Sequence, residues 1–284
     1  MGAGMIAIDK HRCIGCGMCV KVCHNRCVAL VDDVASIDDE LCDRCTQCIA
    51  VCPQQALSWD HVPPVGYDEI RLPSPEQLDE LFKERRSIRF LKRDRIERPL
   101  LEEIVGYGIY APTNNHELRA VVVDDAEVIE ELERIVVRFN SRIYRLIFEP
   151  KIVFELLRRI TPAVNPKVKV KLEGRRHDFF NPAAMVLIVG DPRIAFSESS
   201  AQAALDLVTF YGLAKGVGSC LWGAGEIVLD RNRTARERLG LQKREHILGV
   251  LLLGYPAIKF ANKVEGRAMD IQWADGGRSR SRGG

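Results

Sequence analysis

The sequence predicts an α+β protein in two parts: a small, duplicated, cysteine-rich unit, then a larger body of helices and short strands. Three observations carry this. Nine of the ten cysteines fall between Cys13 and Cys52, leaving only Cys220 for the rest of the chain. A proline-dense stretch over 61–74 follows, with Pro63, Pro64, Gly66 and Pro73. Beyond it, apolar runs of helical period alternate with short β-branched runs.

Composition bounds the function. The chain has 284 residues, 46% of them apolar and 28% charged, which suits a globular protein with a sizeable core. Lys and Arg total 41 against 39 Asp and Glu, so a strongly basic nucleic-acid binder is not expected. The longest late apolar run, Ile247 to Tyr255, is too short to cross a bilayer and reads as a buried strand. The first residues lack a basic n-region, and Ile6 stands where N-myristoylation needs Ser or Thr. These features predict a cytoplasmic protein with no membrane partner.

Residues 1–60 form the first unit. Cys13, Cys16, Cys19 and Cys23 read C-x2-C-x2-C-x3-C, and adding 29 to each position gives Cys42, Cys45, Cys48 and Cys52, followed by Pro53. The unit is therefore an internal repeat. Isolated C-x2-C pairs also suit zinc, and a small secreted domain would use such cysteines as disulfides, but neither explains two copies of the whole run. Val28–Val31 and Val34–Ile37 flank Asp32 and Asp33 and read as a β-hairpin. Cys27 has Ala56 as its repeat partner and reads as a buried packing residue rather than a ligand or redox thiol. The unit carries five basic and eight acidic residues, so the remainder, with 36 and 31, is the basic part.

The double run resembles bacterial-type ferredoxins with two [4Fe-4S] clusters. There, three cysteines of one run and the last of the other hold each cluster. The resemblance implies Cys13, Cys16, Cys19 and Cys52 for one cluster, and Cys42, Cys45, Cys48 and Cys23 for the second. The first run departs from the pattern in having His24 where the second has Pro53, which loosens the chain's exit but removes no ligand.

The stretch 61–74 suits a semi-rigid linker. The body, 75–273, opens with a helix: Ser74 as N-cap, Pro75 in the first turn, Gln77 completing a capping box. Leu78, Leu81 and Phe82 share one face, and the helix ends in Glu84-Arg85-Arg86-Ser87-Ile88-Arg89-Phe90. A second helix follows Pro99 and stops near Ala111-Pro112-Thr113-Asn114-Asn115-His116. Strands are expected at Val121–Val123, Ala184–Val189 and Glu245–Tyr255, with residues 126–160 largely helical and a small-residue helix over Ala201–Ala214. The region containing Thr161–Pro166 and Gly174–Phe180 reads as an insertion. The Arg/Ser tail, 274–284, reads as disordered.

Arg85-Arg86-Ser87-x-Arg89-Phe90 after an amino-terminal helix resembles the opening motif of the nitroreductase family of FMN flavoproteins. Arginine forks with a hydroxyl suit a phosphate dianion. Ala111-Pro112-Thr113 resembles the family's second element, where His116 stands in place of the usual Asn and Asn114 or Asn115 is the nearest substitute. Gly216 to Gly223, with Cys220, Leu221 and Trp222, resembles the glycine-rich segment beside the flavin ring. Leu253-Gly254-Tyr255-Pro256 resembles the late strand, and Arg267 the basic residue that returns to the phosphate.

The resemblance implies a mostly antiparallel central sheet flanked by helices, bound FMN, and a homodimer. It also implies that the flavin carries the chemistry, so no side chain is catalytic. The expected partners are a small organic acceptor, nitroaromatic- or quinone-like, and either a one-electron donor such as ferredoxin or NAD(P)H at the flavin. Two other readings remain. One is an FMN enzyme of a different reaction type, such as dehalogenation, desaturation or cofactor biosynthesis. The other is a non-enzymatic iron–sulfur sensor or electron relay.

Overall fold

The computed structural model describes residues 4–112, 118–174, 180–266 and 268–273. In the cysteine-rich unit the order is β1 (Ile6–Ile8), α1 (Met18–Val22), β2 (Val28–Val31), β3 (Val34–Ile37), α2 (Gln47–Ala50) and β4 (Leu57–Trp59). The 29-residue repeat is visible in the backbone: α2 repeats α1, and β4 repeats β2. The two small antiparallel sheets each take one strand from each half, β1 with β4 and β2 with β3. The expected hairpin is present, with Asp32 and Asp33 both at positive φ as a two-residue primed turn requires. Positive φ recurs at repeat-equivalent positions: Gly15 (63°) with Arg44 (56°), Gly17 (72°) with Thr46 (61°), and Arg26 (55°) with Gln55 (50°).

The body contains α3 (Pro75–Glu84), α4 (Arg98–Gly106), β5 (Arg119–Val123), α5 (Ala126–Ile143), α6 (Lys151–Ile160), α7 (Pro166–Gly174), β6 (Ala184–Gly190), α8 (Ser197–Ala214), β7 (Gly218–Leu221), α9 (Gly223–Arg231), α10 (Arg233–Arg238) and β8 (His246–Gly254). The capping box at Ser74 and Gln77 forms as the sequence predicts. Strands β5, β6, β8 and β7 make one antiparallel sheet in that order. β6 is buried at every position, and β8 at nearly all, as central strands covered on both faces must be.

Two apolar layers sandwich the sheet. On one face Ile129, Leu132 and Val136 of α5 and Val228 and Leu229 of α9 meet Met185, Leu187 and Leu252. On the other, Leu101 and Ile104 of α4 and Ala201, Leu205 and Val208 of α8 meet Val186, Leu251 and Leu253. Gly249 lets α8 approach, because a Cβ there would stand 2.5 Å from a methyl of Leu205. Among the described residues no helix is long and apolar enough to cross a membrane.

Candidate functional site

The cysteine-rich unit brings distant thiols together. Cys13, Cys16 and Cys19 share one small apolar cavity with Cys52 of the other run, closed by Leu30 and Leu57. Gly17 sits at φ 72° as α1 begins, in a left-handed conformation that glycine adopts without strain. In the second run Cys42 and Cys45 lie close enough to Cys48 to act on its charge, and Cys23 of the first run stands on this side with Cys27, its Sγ 3.4 Å from that of Cys27. Cys42 also lies beside Cys27.

Backbone N–H groups aim at several of these sulfurs. Ala35 donates to Cys13 (3.5 Å), Arg44 to Cys42 (3.4 Å) and Ala56 to Cys52 (3.3 Å). Such donors stabilise thiolate charge and tune cluster potential. Burial works the other way, pushing the Cys19 thiol up and the Cys48 thiol to about 11. A metal cluster offsets that cost, since its ligands must give up their protons. Among the described residues no three Cys, His, Asp or Glu side chains converge on a single-ion position. The four thiols around the first cavity, with an apolar wall and N–H donors, suit a larger iron–sulfur body.

In the body, the chain after α3 runs along the exposed edge of β7. Ile88 donates to the carbonyl of Ser219 (2.8 Å), Lys92 to Tyr255 (2.8 Å), and Ala257 to Phe90 (2.9 Å). Three separated motifs thereby meet: Arg85–Phe90, Gly218–Cys220 and Leu253–Pro256. Two glycines permit it. A Cβ on Gly218 would stand 3.0 Å from Ile88 and 3.0 Å from Pro256, and one on Gly254 would stand 3.1 Å from Leu91.

The arginines of the motif have different surroundings. Arg86 donates to the carbonyls of Lys83 (2.6 Å) and Arg85 (2.8 Å), so it caps the carboxyl end of α3. Arg89 donates to the Ser87 carbonyl at 3.4 Å, and Arg85 and Arg89 are both exposed. The segment after Ala257 returns past α3, held by Lys83–Glu265 (3.1 Å) and Lys263–Glu80. Pro112 is exposed beyond a 3-10 turn at Tyr107–Tyr110. Thr113, Asn114, His116 and Arg267 lie outside the described residues, as does the tail.

The Cys220 side chain packs in the core beside Trp222 and Val228. Leu221 is exposed, Trp222 is buried, and Gly223 starts α9. Phe180 meets the Trp222 ring edge-on at 5.9 Å. Sequence reasoning passed over Gly225, where a Cβ would fall 2.3 Å from the Trp222 ring. The Gly-x-Gly spacing after Trp222 is the signal that marks it.

A model of the nitroreductase family matches residues 82–255, more than half of the chain. The chain belongs to the nitroreductase family. It is therefore a flavin oxidoreductase, and it also carries a match to a 4Fe-4S binding domain over residues 35–58. No curated protein matches it. The fold of the family recurs in solved structures. A nitroreductase with bound FMN from Desulfitobacterium hafniense is 16% identical, with a TM-score of 0.53, covering 68% of this chain and 97% of its own. An oxidised iodotyrosine deiodinase bound to FMN and 3-iodo-L-tyrosine is 16% identical, with a TM-score of 0.53, covering 70% and 99%. An FMN-dependent nitroreductase from Clostridium difficile is 16% identical, with a TM-score of 0.51, covering 70% and 100%. At such identities these matches speak to the fold of the body.

Proposed function

We propose that the chain is an FMN oxidoreductase whose own amino-terminal unit, 1–60, holds two [4Fe-4S] clusters that exchange electrons with the flavin. The body, 75–273, would hold the FMN. A one-electron donor such as ferredoxin, or NAD(P)H at the flavin, supplies the electrons, and a small nitroaromatic- or quinone-like molecule accepts them. The observation that carries the reading is the crossed arrangement of the thiols, with Cys52 completing the cavity of the first run. A zinc knuckle has no need to draw its fourth ligand from the other repeat. When bound, the clusters supply one-electron steps and the flavin accumulates two electrons.

The chain's own residues bind and position. The exposed Arg85 and Arg89, with Ser87, would receive the flavin phosphate, while Arg86 fixes the turn that presents them. Backbone at Cys220–Gly223 would border the ring, with Trp222 held from behind by Phe180. Thr113, Asn114, His116 and Arg267 would complete the site. A homodimer is supported by the exposed Phe260, Met269, Ile271 and Trp273 on a segment without regular secondary structure.

The test is anaerobic reduction of the flavin, followed by its absorbance, in the intact enzyme and in Cys16→Ser/Cys45→Ser. Loss of reduction by a one-electron donor, with direct reduction by NAD(P)H retained, is the expected result. Equal rates with the one-electron donor in both proteins would remove the clusters from the path.

A further inference from the structure

Away from the motifs that meet at β7, a cavity of about 580 Å³ opens between α5 and α9. Its walls have an unusual composition. Arg134, Arg138 and Arg142 recur every four residues along α5 and so form one stripe, with Ile135 and Phe139 in the stripe beside it. Like charges at this spacing repel, so the stripe opposes the helix that carries it. Arg134 reaches Glu130 at 3.4 Å, but Arg138 and Arg142 have no acidic partner among the described residues. Across the gap α9 contributes Ile227 and Arg231, and Arg231 also lacks an acidic partner among the described residues. The one carboxylate at the rim, Glu131, is already engaged with Arg238 at 3.3 Å. Phe139 and Ile227 leave large apolar surfaces in the opening.

The volume lies in the range of small-molecule sites. The cavity lies along the second half of α9, from Ile227 to Arg231, about 6–12 Å along the axis from Gly223 at its start. We propose that it binds an amphipathic anion, with an apolar tail against Ile135, Phe139 and Ile227 and a carboxylate or phosphate head on Arg138, Arg142 and Arg231. Guanidinium forks match either head group, and a ligand charge there removes the repulsion along α5.

Isothermal titration of the FMN-loaded enzyme with monomeric decyl phosphate, decanol and inorganic phosphate tests this. Decyl phosphate is expected to bind once per chain, at least tenfold tighter than either fragment, and more weakly as salt rises. Arg138→Gln/Arg142→Gln should weaken it at least tenfold while leaving flavin occupancy and iron content unchanged and without lowering the melting temperature, since it also relieves the repulsion along α5. Phe139→Ala should weaken it with the same controls intact. The proposal fails if decanol binds as tightly as decyl phosphate or if the arginine variant binds unchanged. It also fails if only vesicles of anionic lipid bind, which would make this face a membrane-docking surface.

Discussion

Gly218→Ala probes the contact on which the proposed flavin site rests. The added Cβ would stand 3.0 Å from Ile88 Cγ1, 3.0 Å from Pro256 Cγ and 3.1 Å from Ile88 Cβ. Ile88 cannot swing away cheaply: it is buried, and its N–H is bonded to Ser219 at 2.8 Å. Overpacking of this kind costs about 1–3 kcal/mol, while Ala recovers about 0.5–1 kcal/mol over Gly in a strand. The net destabilisation is therefore about 0.5–2 kcal/mol. Its easiest release is to lift the 87–92 arm off β7, carrying Ser87 and Arg89 with it. If FMN binding needs the docked arm, the same free energy weakens FMN by about 2- to 30-fold. Flavin fluorescence titration of the deflavinated protein measures this. Gly106→Ala is the control, since nothing lies within 4 Å of its Cβ position. Unchanged FMN affinity in Gly218→Ala, despite a lowered melting temperature, would refute the docking argument.

Three further outcomes are expected. Arg85→Ala/Ser87→Ala should lower FMN affinity by tenfold or more while the iron content measured on the same sample stays constant, because charge-assisted bonds to phosphate are lost. Thr46→Gly should raise the melting temperature of the reconstituted protein. It removes a β-branched residue at φ 61°, a gain of about 1–2 kcal/mol against about 0.5–1 kcal/mol of added chain entropy, and a lowered melting temperature would contradict it. Glu245 is bonded to Arg119 at 2.6 and 2.8 Å, which holds its carboxyl below the ordinary 4.5. Its stabilisation is complete above that value and fades as pH falls through the depressed one. The melting-temperature gap between wild type and Glu245→Gln should hold at neutral pH and shrink in acid; a gap that is flat with pH would sink the assignment.

The sequence showed its fold where local chemistry and tertiary packing agree. Ser74, Pro75 and Gln77 mark a helix start through bonds within four residues, and the structure has that capping box. Asp32-Asp33 between β-branched runs marks the hairpin for the same reason. β7 was harder to see: Gly218-Ser219-Cys220-Leu221 has weak strand propensity and becomes a strand because β8 lies beside it. α9 and α10 were also passed over, one opening on glycines and the other short and polar.

The site divides along the same line. Cysteine spacing is a local code, so the two runs were legible at once. The arginine motif was legible as a cluster but not in its parts. Which guanidinium turns back to cap α3 depends on where the chain bends after Glu84, and Arg86 is the one that does. Cys27 is buried, as its match to Ala56 implies, but its place beside Cys42 is a tertiary fact. Gly218, Gly254 and Gly225 owe their roles to neighbours between 38 and 163 residues away or to a ring three residues back, and only the packed fold reveals those distances.

The central claim is that one chain carries two clusters and one flavin. Iron, acid-labile sulfide and FMN assayed together on anaerobically purified protein test it most directly. The account predicts about eight iron, about eight sulfide and about one FMN per chain. A protein that holds its iron but no flavin, or one FMN with only about four iron, would contradict it.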